Sequence, residues 1–307
     1  MTGKSKVLAY RIDEETEQNI RDSVNATEID SFIELLRPVE ANYKTVNMVK
    51  KIIVDLDRYE QVNWAKALVK MDRPIYKVIG AYLLDKNEVY KKEPEFILEL
   101  VKDFSADEDW NVRQASVDMM ENLVTGTDEN QLNLIKMLVE SDEAHLRRLA
   151  LLTCKSIAKS ATYEDELKAE LLDVIEPLLA EEDPYVQTVS SETFNEGFMK
   201  YCTEMTLDWL REKINETDNP TVKSTVLTIL ASRYVEDNIE EALNIIDGML
   251  EESDAQIKKA RSSALHKLSE NHHDRVSTFL EDRLHIKQAV DHWAELEADG
   301  SLNSFTI

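Results

Sequence analysis

A short pattern recurs six times along the chain at nearly constant spacing, and this recurrence limits the possible folds more than any other feature. The copies read DRPIYKVIG, DEDWNVRQA, DEAHLRRLA, DPYVQTVSS, NPTVKSTVL and DAQIKKARS. Their aliphatic anchors fall at Ile75, Val112, Leu146, Val186, Val222 and Ile257, so successive anchors stand 34 to 40 residues apart. Periods of that length are the mark of stacked supersecondary units that bury their apolar faces only against one another.

Each copy carries a start signal for a helix. Three residues before the anchor stand Asp72, Asp109, Glu143, Asp183, Asn219 and Asp254. All but Glu143 are residues whose short side chain can accept from the free amides of a first helical turn. Pro184 and Pro220 follow where a missing N–H costs nothing. Eight residues past the anchor come Leu83, Met120, Cys154, Phe194, Leu230 and Leu265, with Val78, Ala115, Leu149 and Val189 between. One face of each helix is therefore expected to be buried. A second apolar-periodic segment precedes most copies, as in PEFILELVKDF and ENQLNLIKMLV, and short acidic linkers such as SADED and NETDNP join the two. Linkers this short predict antiparallel helix pairs.

Composition agrees. The chain has 307 residues with 43% apolar content, which excludes wholesale disorder, and its 6 Gly and 6 Pro are too few for a hairpin-rich β fold. Lys and Arg total 36 against 61 Asp and Glu, a formal charge of -25 that excludes a broadly basic DNA-coating protein but leaves room for a local basic groove. No apolar run approaches the roughly 18 residues of a membrane span, and the first residues contain no apolar leader core, so a cytoplasmic location is expected. Cys154 and Cys202 lack metal-ligand spacing and read as reduced buried thiols. His272, His273, His285 and His292 read as turn or surface histidines rather than metal ligands, and no cofactor is expected.

These residues resemble the HEAT-like repeat family over about 66–285. The fold implied is an all-α right-handed superhelix of about six HEAT-like repeats, with a helical cap at 1–60, repeats at 61–290 and a C-terminal tail at 291–307 forming one continuous solenoid domain. SFIELLRPVEANYKTVNMVKKIIVDL, within the cap, predicts two helices broken near Pro38.

The candidate site lies just past the anchors. Seven of the twelve residues in the two following positions are basic and none is acidic: Lys77, Arg113, Arg147, Arg148, Lys223, Lys258 and Lys259. Stacked repeats would align them in a ladder, which the resemblance places on the concave side. In one reading each base pairs with an acid four residues earlier or in the adjacent turn, as Asp109 with Arg113, Glu143 with Arg147 and Asp254 with Lys258 suggest. In the other the spare bases line a groove for nucleic-acid phosphates or an acidic protein segment, with Trp110 in a polar turn as a recognition residue. Trp64, Trp209 and Trp293 read as core.

A closer resemblance covers about 60–230. The runs NLIKMLVESDEAHLRRLALLTCKSIAKS and LLAEEDPYVQTVSSETFNEGFMKY are similar to the middle of the HEAT-like DNA alkylation repair family, whose members excise alkylated purines from duplex DNA. That resemblance implies an Asp after one anchor to stabilise positive charge on the sugar, an Arg on the next helix, and aromatic side chains facing the groove. Arg148 matches the groove Arg. The acid's place is held by Arg113, and a cation cannot stabilise a developing cation. The two aromatic places fall on Asp109, beside Trp110, and on Glu192, near Phe194. These departures favour a non-catalytic scaffold that holds an acidic partner in a basic concave groove, with an alkylpurine DNA glycosylase or a DNA-binding relative as the alternative.

Overall fold

The computed structural model describes residues 12–283; the tail at 291–307, His285, His292 and Trp293 lie outside them. Within that range the protein is all helix, and no described residue forms a strand. The helices gather into two compact units, Met1–Thr125 and Gly126–Ile307.

The first unit holds α1 (Glu14–Asn25), α2 (Ile29–Leu36), α3 (Tyr43–Ile53), α4 (Arg58–Leu68), α5 (Pro74–Lys86), α6 (Pro94–Ser105) and α7 (Trp110–Leu123). The break near Pro38 separates α2 from α3 as expected. Helix α4 pairs with α5, α6 pairs with α7, and α3, α5 and α7 pack side by side. Phe32 and Trp64, both buried, meet with ring centroids 5.1 Å apart, and Phe104 is fully enclosed. Gly80 permits the close approach of α5 to α4: a Cβ there would lie 2.7 Å from Val69 Cγ1 and 3.0 Å from Ala65 O.

The second unit holds α8 (Glu129–Val139), α9 (Ala144–Lys159), α10 (Asp165–Ile175), α11 (Pro184–Thr193), α12 (Thr203–Glu216), α13 (Pro220–Leu230), α14 (Ile239–Asp247) and α15 (Ala255–Arg283). The first helices of successive pairs, α8, α10, α12 and α14, pack in one layer, and α9, α11, α13 and α15 form the other. Helix α11 runs without a break into a π-helical turn, Phe194–Met199. Phe194 is fully buried there and stacks on Trp209 at 5.8 Å. Gly197 lets this turn press on α9, since a Cβ would stand 3.3 Å from both Cα and Cγ of Lys155.

The start signals operate in four of the six copies. Asp109, Asp183, Asn219 and Asp254 each accept from an amide of the first turn, at 2.8–2.9 Å. Asp72 is displaced because Pro74 opens α5 and makes Arg73 the cap residue, and Glu143 holds the cap position of α9 without a side-chain bond. The six residues eight past the anchor are all buried, as are Val78, Ala115, Leu149 and Val189. Among the anchors, Leu146 and Val222 are only partly buried. Cys154 is fully enclosed, which pushes its thiol far up, whereas Cys202 is half-buried, a correction to the expectation for that residue.

Candidate functional site

The basic stripe past the anchors is largely held by the fold. Lys77 Nζ lies 2.6 Å from Asp107, Arg147 binds Glu181 through Nε at 2.6 Å and Nη2 at 3.2 Å, and Lys223 pairs with Glu252. Each of these acids sits in the interhelical turn of the following repeat, the adjacent-turn form of the pairing, rather than four residues earlier on the same helix. Arg113 spends its Nη1 on the carbonyls of Asp107 and Glu108, at 2.7 and 2.8 Å. Arg147 and Gln187 also donate to a carbonyl six residues back, those of Ser141 and Glu181. The long side chain after the anchor thus satisfies carbonyls left free where the preceding helix ends. Lys258 and Lys259 are exposed on α15 and form no ion pair among the described residues. Arg148 lies with its guanidinium 5.2 Å from the ring of Tyr185, which is half exposed.

Trp110 stays open to solvent, 59% exposed at the start of α7. It lines a cavity of about 360 Å³ in the first unit, walled by Asn47 and Lys50 of α3, Tyr82 and Asp85 of α5, and Gln114 and Asp118 of α7. Lys50 Nζ sits 4.6 Å from the Tyr82 ring centroid. Asn122 donates to Asp85 at 2.6 Å and to the Asp118 carbonyl at 2.9 Å, while Gln114 donates to the Asp118 carboxylate at 3.0 Å. Burial, then the charge of Asp118, raise the Asp85 carboxyl above its ordinary value, and Lys50 opposes the shift. The cavity therefore offers two aromatic faces, one lysine, and two carboxylates in unlike surroundings. That set suits a flat, electron-poor or cationic group.

Asp118, just over a helical turn past Arg113 on the same helix, is exposed and lines the cavity that Trp110 also lines. At the other aromatic place, Glu192 is exposed and paired with Lys155, and Phe194 is in the core. Asp85 and Asp118 stand outside the two positions after the anchor where the basic stripe lies. The signal was there, since Asp118 and Glu192 stand six residues past their anchors and Asp85 and Glu196 stand ten past theirs.

Residues 194–298 match the family model for the DNA alkylation repair enzyme. The chain is similar to that family. Among solved structures, AlkD2 from Streptococcus mutans is 19% identical over 66% of this chain and 95% of its own, with a TM-score of 0.44. A chain of the structure of Kap95p bound to RanGDP is 11% identical, covers 91% of this chain and has a TM-score of 0.51; the match spans 38% of that longer chain. It bears out the all-α HEAT-like repeat fold and nothing about activity. No curated protein matches. The family match overturns the expectation of a non-catalytic scaffold for an acidic partner, because it falls on a model built from repair enzymes. Among the described residues no helix is long and apolar enough to cross a membrane.

Proposed function

We propose that this protein is a DNA alkylation repair protein that engages duplex DNA and releases an alkylated purine. The match of residues 194–298 to the repair-enzyme family carries the reading. The cavity in the first unit supports it. Trp110 and Tyr82 offer π faces to a purine made cationic by alkylation. Asp118, open to solvent, supplies the carboxylate that meets positive charge developing on the sugar as the base departs, and Asp85 beside it is held toward its protonated form by burial. Lys50 supplies a cation for a neighbouring phosphate.

The test has two parts. Duplex affinity is measured across salt concentrations, and release of a methylated purine from duplex DNA is followed in single turnover. The expected result is binding that weakens steeply with salt, together with base release that Asp118→Asn abolishes. Binding without release makes the chain a DNA-binding relative rather than a glycosylase. Neither binding nor release at low salt ends the repair reading.

A further inference from the structure

The second unit carries a cluster that the excision cavity does not use. Glu196, in the π-helical turn, accepts from the Tyr234 hydroxyl at 2.7 Å and from Arg233 Nη2 at 3.3 Å, and Lys200 Nζ lies 3.9 Å away. Arg233 and Tyr234 open the 3-10 helix Arg233–Asn238, and the Arg233 guanidinium lies 4.9 Å from the Tyr234 ring. One turn earlier Glu192 holds Lys155 at 3.1 Å. Arg233 is 70% exposed, Glu196 and Lys200 are each about 40% exposed, and Tyr234 is partly buried.

A guanidinium, an ammonium and a phenol O–H converging on one oxyanion form the donor set that phosphate takes, and phosphate brings more acceptor oxygens to it than a carboxylate does. Three cations share two carboxylates here, a local excess of positive charge on a chain whose formal charge is -25. The carboxylate is also easily displaced, because exposed ion pairs are weak and screened by salt.

We infer that Lys200, Arg233 and Tyr234 form a clamp for a DNA backbone phosphate, and that Glu196 occupies the clamp in the free protein as an internal competitor. The inference rests on the repair reading for its ligand. The π-helical turn places the competitor, since Gly197 lets the turn lie against Lys155 and so brings Lys155, Glu192 and Glu196 onto one patch.

The experiment is a double-mutant cycle on the full chain. Anisotropy of a labelled, undamaged duplex is measured across salt for the wild type, Glu196→Gln, Arg233→Ala and the double variant. Glu196→Gln is expected to tighten binding by about threefold to tenfold at low salt and to steepen the salt dependence by about one counterion, as one phosphate contact is gained. In the Arg233→Ala background that gain should vanish. An equal gain in both backgrounds marks a general charge effect and overturns the clamp, as does no gain at all. Inorganic phosphate, followed through the ring resonances of Tyr234, separates this failure from failure of the repair reading. A saturable shift that tightens in Glu196→Gln and disappears in Arg233→Ala upholds the clamp even if the wild type binds no duplex. Absence of any shift, with duplex binding insensitive to Glu196, overturns the clamp and leaves repair standing.

Discussion

Asp85 in the first unit and Glu196 in the second stand at the same place in the repeat, ten residues past their anchors, yet they are held in opposite states. Asp85 is half-buried, faces Asp118, and is pushed toward protonation by its enclosure. Glu196 is open to water and receives the Tyr234 hydroxyl, with Arg233, Lys200 and Lys155 nearby, so its carboxyl is held below the ordinary range. The repeat decides where a side chain emerges from its helix. What that side chain does is decided by the neighbouring helices, which owe nothing to the period. One motif can thus supply a walled, acid-lined cavity in one unit and a solvent-open basic patch in the other.

The comparison breaks most decisively through base release. Asp118 and Glu192 share the position six past the anchor, but only Asp118 lines the cavity with Trp110. Asp118→Asn should lower single-turnover release of an alkylated purine by about 10²–10³-fold, the scale of losing one preorganised electrostatic group. Glu192→Gln should change it by less than about threefold, since only an exposed pair with Lys155 is lost. Equal losses would mean that the two positions do one job and that the two units do not differ there.

A smaller effect separates the units by packing. At Gly80 an added Cβ meets Val69 Cγ1, Val69 N and Ala65 O at 3.0 Å or less, and two of those atoms are backbone of α4 and its C-cap residue. Gly80→Ala should therefore destabilise the first unit by about 1–3 kcal/mol in denaturant unfolding. Gly197 is less crowded, with its nearest atoms at 3.3 Å, and alanine brings some gain in helix propensity. Gly197→Ala should change stability by less than about 1 kcal/mol. A larger loss at Gly197 than at Gly80 would reverse the order of the two close approaches.

The charge stripe gives a third contrast. Arg147 is bound by Glu181 and by a carbonyl with little exposure, whereas Lys258 is exposed. Arg147→Ala should destabilise the fold by about 1–3 kcal/mol, chiefly by leaving Glu181 and the Ser141 carbonyl short of a donor. Lys258→Ala should stay within about 0.5 kcal/mol. The reverse ranking would return Arg147 to the binding surface.

That stripe also shows what the residues alone reveal. The anchors, the apolar positions eight further on and the caps at Asp109, Asp183, Asn219 and Asp254 are local in sequence, so the helix pairs could be read from them. The fate of the bases was legible only as one of two options. Lys77, Arg147 and Lys223 reach acids 29 to 34 residues away in the next turn, and no local pattern says which acid each base takes. The π-helical turn at FNEGFM has no pattern of its own, and Glu196 within it meets Tyr234. Trp110 was legible as an exposed aromatic because a polar cap precedes it. Its partners Tyr82, Asp85 and Asp118 were not, since they come together only where α3, α5 and α7 pack.

The gentlest test concerns protons. Asp85 should titrate above its ordinary 3.8 and Glu196 below its ordinary 4.5, read from carboxyl carbon shifts. For Asp85 the folded state binds the proton more tightly than the unfolded chain does. Folding stability should therefore fall as pH rises from the unfolded value through the raised one, and Asp85→Asn should flatten that segment of the profile. For Glu196 the sign is opposite: its contribution is complete above the unfolded value and is lost as pH falls through the lowered one. Salt separates the causes. The Glu196 shift comes from exposed partners and should shrink at about 1 M salt, where screening acts over about 3 Å, whereas the Asp85 shift comes first from burial and should persist. If both shifts collapse together, Asp85 is solvated, and the cavity does not hold its carboxyl group away from water.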